Sequence, residues 1–173
     1  VAVITNISYA HAKNFKNLNQ IAKAKSEIID NISKNGSIVL NADDGFFKKH
    51  KKLALNKKLK ICSFSLNKRN ANVYIKKIIN LKNKFVVLIN INKKEKNFFV
   101  KSIFESNLQN ILATIAVISI FKDINKLNKN IFYNFKTPKG RGDISKIKIK
   151  RKVIKFIDES YNANPLSVSS AIK

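Results

Sequence analysis

The sequence predicts an α/β protein. Short apolar β-type runs alternate with amphipathic helical segments over the first 65 residues. Three closely spaced β-rich runs then occupy 72–102, and a long apolar helical stretch follows at 107–121. Strands separated by helices favour a parallel sheet, whereas strands joined by short polar turns favour an antiparallel one.

Residues 1–8, opening "VAVITNIS", read as a buried strand, and "YAHAKNFKN" at 9–17 reads as a loop. The stretch "QIAKAKSEII" at 20–29, taken with Leu18 and Ile32, predicts a helix running to about Ser33. Ile21, Ala22, Ile28, Ile29 and Ile32 fall on one side of it at helical spacing. Lys25 lies near the middle of that apolar stripe, while Lys23 and Glu27 point away from it. "NGSIVLNADD" at 35–44 reads as a turn, a short apolar strand and an acidic turn. "FFKKHKKLALNKK" reads as a basic helix, and "KICSFS" at 60–65 as a second buried strand.

"NVYIKKIINL", "KFVVLININ" and "NFFVKSIF", separated by "KNK" and "KKEK", predict a three-stranded antiparallel meander. The apolar helix at 107–121 is expected to precede another near 126–134. A boundary is expected at "KTPKGRGD", 136–143, where Pro138, Gly140 and Gly142 break regular structure. Two strand-like runs, "ISKIKIK" and "VIKFID", come next, and "ESYNANPLSVSSAIK" reads as a polar strand-end loop opening a helix near Pro165.

A hydrophobic content of 45% is enough for a packed core and excludes a disordered-chain composition. The single cysteine, Cys62, excludes an intramolecular disulfide and suits a reducing compartment. The longest apolar run, "ILATIAVISIF" at 111–121, is shorter than the roughly 20 residues a bilayer span needs. A cytoplasmic protein that does not engage a membrane is expected. With no methionine in its 173 residues, the chain is expected to be an internal piece of a longer protein.

The formal charge of +25 invites a nucleic-acid reading, but its make-up argues against one. Only Arg69, Arg141 and Arg151 of the 35 basic residues are arginine, the residue favoured for base readout, and the lysines are scattered through every segment. Runs such as "NKLNKNIFYN" indicate drift toward Lys, Asn and Ile on a solvated surface. A selected polyanion-binding surface is the rival reading.

Lys25 has two readings. Its stem packs while the amine snorkels to water, or it is drawn inward for chemistry. Desolvation lowers a lysine's pKa and frees the neutral amine. That amine takes up carbon dioxide to give a carbamate, an oxygen ligand suited to Mg²⁺. His11 follows the first strand at the carboxyl end, where α/β sheets place ligands, and is either a loop histidine or a ligand. Asp43 and Asp44 read as turn formers. The "RGD" at 141–143 is a three-residue match close to chance and carries no function.

Six segments, "AVITNISYAH", "IAKAKSEI", "VLNADD", "SNLQNILA", "GRGD" and "IDESYNANP", stand in the order and approximate spacing of the Mur ligases, and the chain resembles that family over essentially its whole length. "SYNANP" is similar to the member that joins D-alanyl-D-alanine to UDP-N-acetylmuramoyl-tripeptide, and it separates that member from its sister ligases. The resemblance implies the later part of a P-loop-type central ATPase domain with a small antiparallel meander over 1–136. It implies the start of a Rossmann-like carboxyl-terminal domain over 137–173.

It further implies ATP and Mg²⁺ as cofactors. Lys25, as its carbamate, would hold Mg²⁺ beside the γ-phosphate, with His11 as companion ligand. Asn107 would contact adenine, Arg141 the nucleotide phosphates and Glu159 the ribose. Tyr161, Asn162 and Asn164 would lie beside the incoming dipeptide and the nucleotide. The implied reaction passes through an acyl phosphate in peptidoglycan precursor synthesis, in a protein that is monomeric when full length. Nucleic acid is not an expected partner.

This chain departs from the family pattern in carrying Ala12 and Lys13 after the histidine, Ser106 before Asn107, and Glu159 in place of aspartate. It contains no G-x-x-x-x-G-K-[ST] phosphate loop, so the 173 residues alone are expected to lack ligase activity. A sister ligase with another amino-acid substrate is the runner-up.

Overall fold

A computed structural model describes residues 1–9, 15–135, 139–140, 143–150, 152–158, 160–161 and 168–169. Its elements are β1 (Ala2–Ile4), α1 (Leu18–Asp30), β2 (Ser37–Asn41), α2 (Phe47–Asn56) and β3 (Lys60–Ser65). The chain continues through β4 (Val73–Leu81), β5 (Lys84–Ile91), β6 (Lys94–Val100), α3 (Glu105–Phe121), β7 (Asp143–Ile149) and β8 (Lys152–Asp158).

Strands β1 to β6 form one sheet in sequence order. β1, β2 and β3 run parallel, with Ala2 opposite Ile38 and Ile38 opposite Ile61. The meander is not a separate sheet. β4 joins β3 in parallel through Phe64–Val73 and Ser65–Tyr74, and β5 and β6 then reverse direction. The α/β expectation is therefore met, and the two halves share one continuous ladder.

Every residue of β2 is buried, as expected for a central strand covered on both faces. Val39 joins Phe64, Val73, Val87, Ile89 and Phe98 in the core under Leu108, Ile111, Leu112 and Ile115 of α3. Ile38 and Leu40 face the other way, packing with Ala2 and Ile4 against Ile29, Ile32 and Ala54 from the α1 and α2 side. The side-chain period of two thus feeds two cores. Phe98 is fully buried and meets Phe132 edge to face, with centroids 5.4 Å apart. The two helices on the second face are linked by buried His50, whose Nε2 lies 3.3 Å from the Ala22 carbonyl oxygen.

Gly36, between α1 and β2, has no room for a side chain. An added Cβ would sit 2.8 Å from the Ser33 carbonyl oxygen and run into Ile32.

Three expectations are corrected. The first strand is Ala2–Ile4 rather than 1–8, because the Ile7 N–H donates to the Asp44 carboxylate instead of continuing a ladder. No α-helix forms over 126–134. A 3-10 turn at Ile124–Lys126 and further turns replace it. Asp123 and Asn128 side chains accept the N–H groups of Asn125 and Asn130 there, a local competition that disfavours a helix. Lastly, Ile28 is 42% exposed and Lys25 is exposed, although both were placed on the core-facing stripe.

β7 and β8 form a separate antiparallel hairpin, from Asp143 opposite Asp158 to Ile149 opposite Lys152. Among the described residues no helix is long and apolar enough to cross a membrane. The helix expected near Pro165 begins outside the described residues.

Candidate functional site

The loops at the carboxyl ends of β1, β2 and β3 are drawn together by two adjacent carboxylates at the end of β2. Asp43 accepts the Ser65 hydroxyl at 2.6 Å and the Leu66 N–H at 2.7 Å, tying β2 to the exit of β3. The Ser65 hydroxyl oxygen in turn accepts the N–H groups of Asn67 and Lys68 at 3.0 and 2.7 Å. Asp44 accepts the Ile7 N–H at 2.7 Å on the β1 side and the Phe46 N–H at 2.8 Å at the start of α2. The Lys68 ammonium donates to the Ala42 carbonyl between them. Turn formation was the sequence reading of Asp43 and Asp44. They also lace three strand ends into one rim, a role signalled only by two carboxylates directly after an apolar strand.

Lys25 reaches this rim from α1. Its Nζ donates to the Asn6 carbonyl oxygen at 2.9 Å, so the amine turns toward the loop that follows β1. The Lys25 side chain is exposed in this structure. β1 is the outermost strand of the sheet, and Lys25 and Ile28 line a groove of about 340 Å³ along it with Val3, Ile4, Thr5 and Ala24. A helical wheel assumes cover on every part of the stripe.

Asn107 lies in the first turn of α3, half-buried, with Nδ2 donating to the Ser102 carbonyl at 3.2 Å. A cleft of about 290 Å³ is lined by Leu66, Asn67, Ile75, Ile78, Ile103, Glu105 and Leu108, the helical neighbour of Asn107. Leu66 belongs both to this cleft and to the Asp43 anchor.

Tyr161 is 62% exposed, and its N–H donates to the Gly140 carbonyl at 3.1 Å. Gly140 takes a φ of +75°, which favours glycine. His11, Arg141, Glu159, Asn162 and Asn164 lie outside the described residues. No group of three or more His, Cys, Asp or Glu side chains poised for a metal occurs among the described residues. The unmodified Lys25 amine is a cationic donor. A divalent cation fits this position only after the amine becomes a carbamate.

Burial pushes the Cys62 thiol above its ordinary pKa, with a Ser119 hydrogen bond opposing the shift. Its Sγ lies 3.9 Å from the Ala116 carbonyl in the α3-side core. That is a structural cysteine, away from the rim.

Four strands running parallel with helices on both faces, extended by an antiparallel pair and presenting tied loops at the carboxyl ends, define an α/β domain of the ligand-binding kind. Residues 1–118 match the Mur ligase middle domain, and the chain belongs to the Mur ligase family. It is 32% identical over 176 residues to the UDP-N-acetylmuramoyl-tripeptide–D-alanyl-D-alanine ligase of Buchnera aphidicola subsp. Baizongia pistaciae, covering 100% of this chain and 36% of that protein. It is 30% identical over 183 residues to the ligase of the same name from Rickettsia prowazekii, covering 100% of this chain and 38% of that protein. A crystal structure of MurF from Acinetobacter baumannii superimposes with a TM-score of 0.81 at 26% identity, over 98% of this chain and 35% of that one. The chain thus spans little more than a third of the length of these relatives.

Proposed function

We propose that this chain is part of an ATP-dependent ligase that joins D-alanyl-D-alanine to UDP-N-acetylmuramoyl-tripeptide in peptidoglycan precursor synthesis. The observation that carries the reading is similarity along the entire chain to two ligases of that name, combined with the MurF fold. On this reading residues 1–136 are the later part of the central ATPase domain. Residues 137–173 begin the Rossmann-like carboxyl-terminal domain. The full-length protein is cytoplasmic and monomeric.

The tripeptide's terminal carboxylate attacks the γ-phosphorus of ATP, ADP leaves, and an acyl phosphate forms. The D-alanyl-D-alanine amine then attacks the acyl carbon, and phosphate departs as the amide forms. Asn107 holds the adenine, Glu159 the ribose and Arg141 the phosphates. Tyr161, Asn162 and Asn164 flank the dipeptide. Lys25 as its carbamate, with His11, would hold Mg²⁺, which neutralises charge on a transferring phosphoryl group. The rim supports this assignment in one respect. Asp43 and Asp44 spend their oxygens on backbone and hydroxyl donors, so the loops are fixed in advance, and positioning is most of what phosphoryl transfer asks of a protein.

The test is product formation by the full-length protein with UDP-N-acetylmuramoyl-tripeptide, ATP and a panel of amine substrates. Selective use of D-alanyl-D-alanine is expected. Preference for a single amino acid would instead assign a sister ligase, and no product with any amine would overturn the reading. The 173-residue chain alone is expected to form none.

A further inference from the structure

We infer that Asp44 is a positioning residue for Lys25 and acts through a single peptide unit. The Asn6 carbonyl and the Ile7 N–H are the two polar ends of one planar peptide. Its N–H donates to Asp44 Oδ2 at 2.7 Å, and its carbonyl accepts Lys25 Nζ at 2.9 Å. In a trans peptide these groups point in opposite directions, so fixing the N–H fixes where the carbonyl aims. Asp44 is itself held through its other oxygen by the Phe46 N–H at 2.8 Å. A carboxylate at the end of β2 thereby sets the loop after β1, and that loop sets an amine carried by α1.

The coupling matters because, among the described residues, the Asn6 carbonyl is the hydrogen-bond partner of the lysine head. Lys25 is exposed and lines an open groove, and a long lysine side chain without a partner samples many rotamers. The peptide also lies between opposite charges with its dipole aligned to both, an arrangement in which each hydrogen bond polarises and strengthens the other. Asp44 touches no reacting group. Its importance for catalysis rests on the ligase reading of Lys25, whereas the coupling itself does not.

The test is native-state acetylation of the intact chain with limiting reagent, comparing Lys25 with exposed Lys23 on the same helix by quantitative mass spectrometry. Hydrogen exchange at the Ile7 amide is followed in parallel. In the wild type, Lys25 is expected to react about fivefold more slowly than Lys23, the factor one ordinary hydrogen bond supplies. Asp44→Ala is expected to speed exchange at Ile7 and bring the two lysines within about twofold of each other. If that variant does not fold, Asp44→Asn, which keeps the size and one acceptor oxygen, tests the same link. There the Lys25 rate is expected to rise as Ile7 protection falls. A general loss of stability would move both lysines together and leave their ratio unchanged. Faster exchange at Ile7 with an unmoved Lys25-to-Lys23 ratio would overturn the inference. Failure of the ligase reading would show elsewhere, as absent product from the full-length protein while this labelling pattern persists.

Discussion

The six-stranded unit and the β7–β8 hairpin are built from similar residues and meet opposite fates. In the first, β5 and β6 bury Val87, Ile89, Phe98 and Val100 under α3. In the second, Ile147, Ile149, Val153, Ile154, Phe156 and Ile157 are all exposed, Val153 at 64%. Alternating chemistry makes a strand in both places. Among the described residues of this chain only the first has a covering layer, and an isolated two-stranded hairpin is marginal in water. Local sequence specifies the element, and the partner specifies its stability.

The largest expected consequence is a difference between two phenylalanines. Phe98→Ala removes a fully buried ring that also packs on Phe132, and should cost about 3–5 kcal/mol in denaturant titration. Phe156→Ala, exposed within these 173 residues, should stay within about 0.5 kcal/mol when the same 173-residue chain is titrated. Equal losses would erase the distinction between the two regions.

A smaller effect is expected at the rim. Asp43→Ala leaves the Ser65 hydroxyl and the Leu66 N–H without their carboxylate, and should destabilise by about 1.5–3 kcal/mol by the same titration. A loss no larger than that of an exposed-residue change would show that the rim is not held by this carboxylate.

The smallest concerns pH. Folding holds the Cys62 thiol protonated, with its pKa above the unfolded value. The unfolded state therefore binds fewer protons once pH passes the unfolded thiol pKa, and stability should fall from there up to the folded pKa. Cys62→Ala should flatten that alkaline decline in pH-dependent melting curves, whereas an unchanged slope would assign the decline to other groups.

Much of the fold was legible from spacing. Continuous apolar runs bounded by turns marked β2 and β3, and short polar turns marked the meander. What spacing did not carry was pairing across the sheet, such as Phe64 with Val73, which fuses the two halves. Nor did it carry cover. Lys25 and Ile28 sit at core-facing angles on α1, yet both are exposed and line a groove with Val3, Ile4, Thr5 and Ala24. Residues near 126–134 have helical apolar spacing, but Asp123 and Asn128 offer the backbone closer partners. Of the candidate site, Lys25 reaches the carboxyl-end rim, Asn107 bonds the Ser102 carbonyl in the first turn of α3, and Tyr161 stands beside Gly140. The contribution of Asp43 and Asp44 was hidden because hydrogen bonds to distant N–H groups leave no periodic trace.

The central claim is that this rim, through Lys25, serves ATP-driven ligation. Phosphate release by the full-length protein tests it most directly, with Lys25→Ala set against Lys23→Ala on the same helix. Release by the wild type and by Lys23→Ala should require both the tripeptide precursor and D-alanyl-D-alanine. Lys25→Ala should fall by about 100-fold or more, the scale of losing one stabilising group at the developing charge. Undiminished release by Lys25→Ala, or release indifferent to either substrate, would contradict the account.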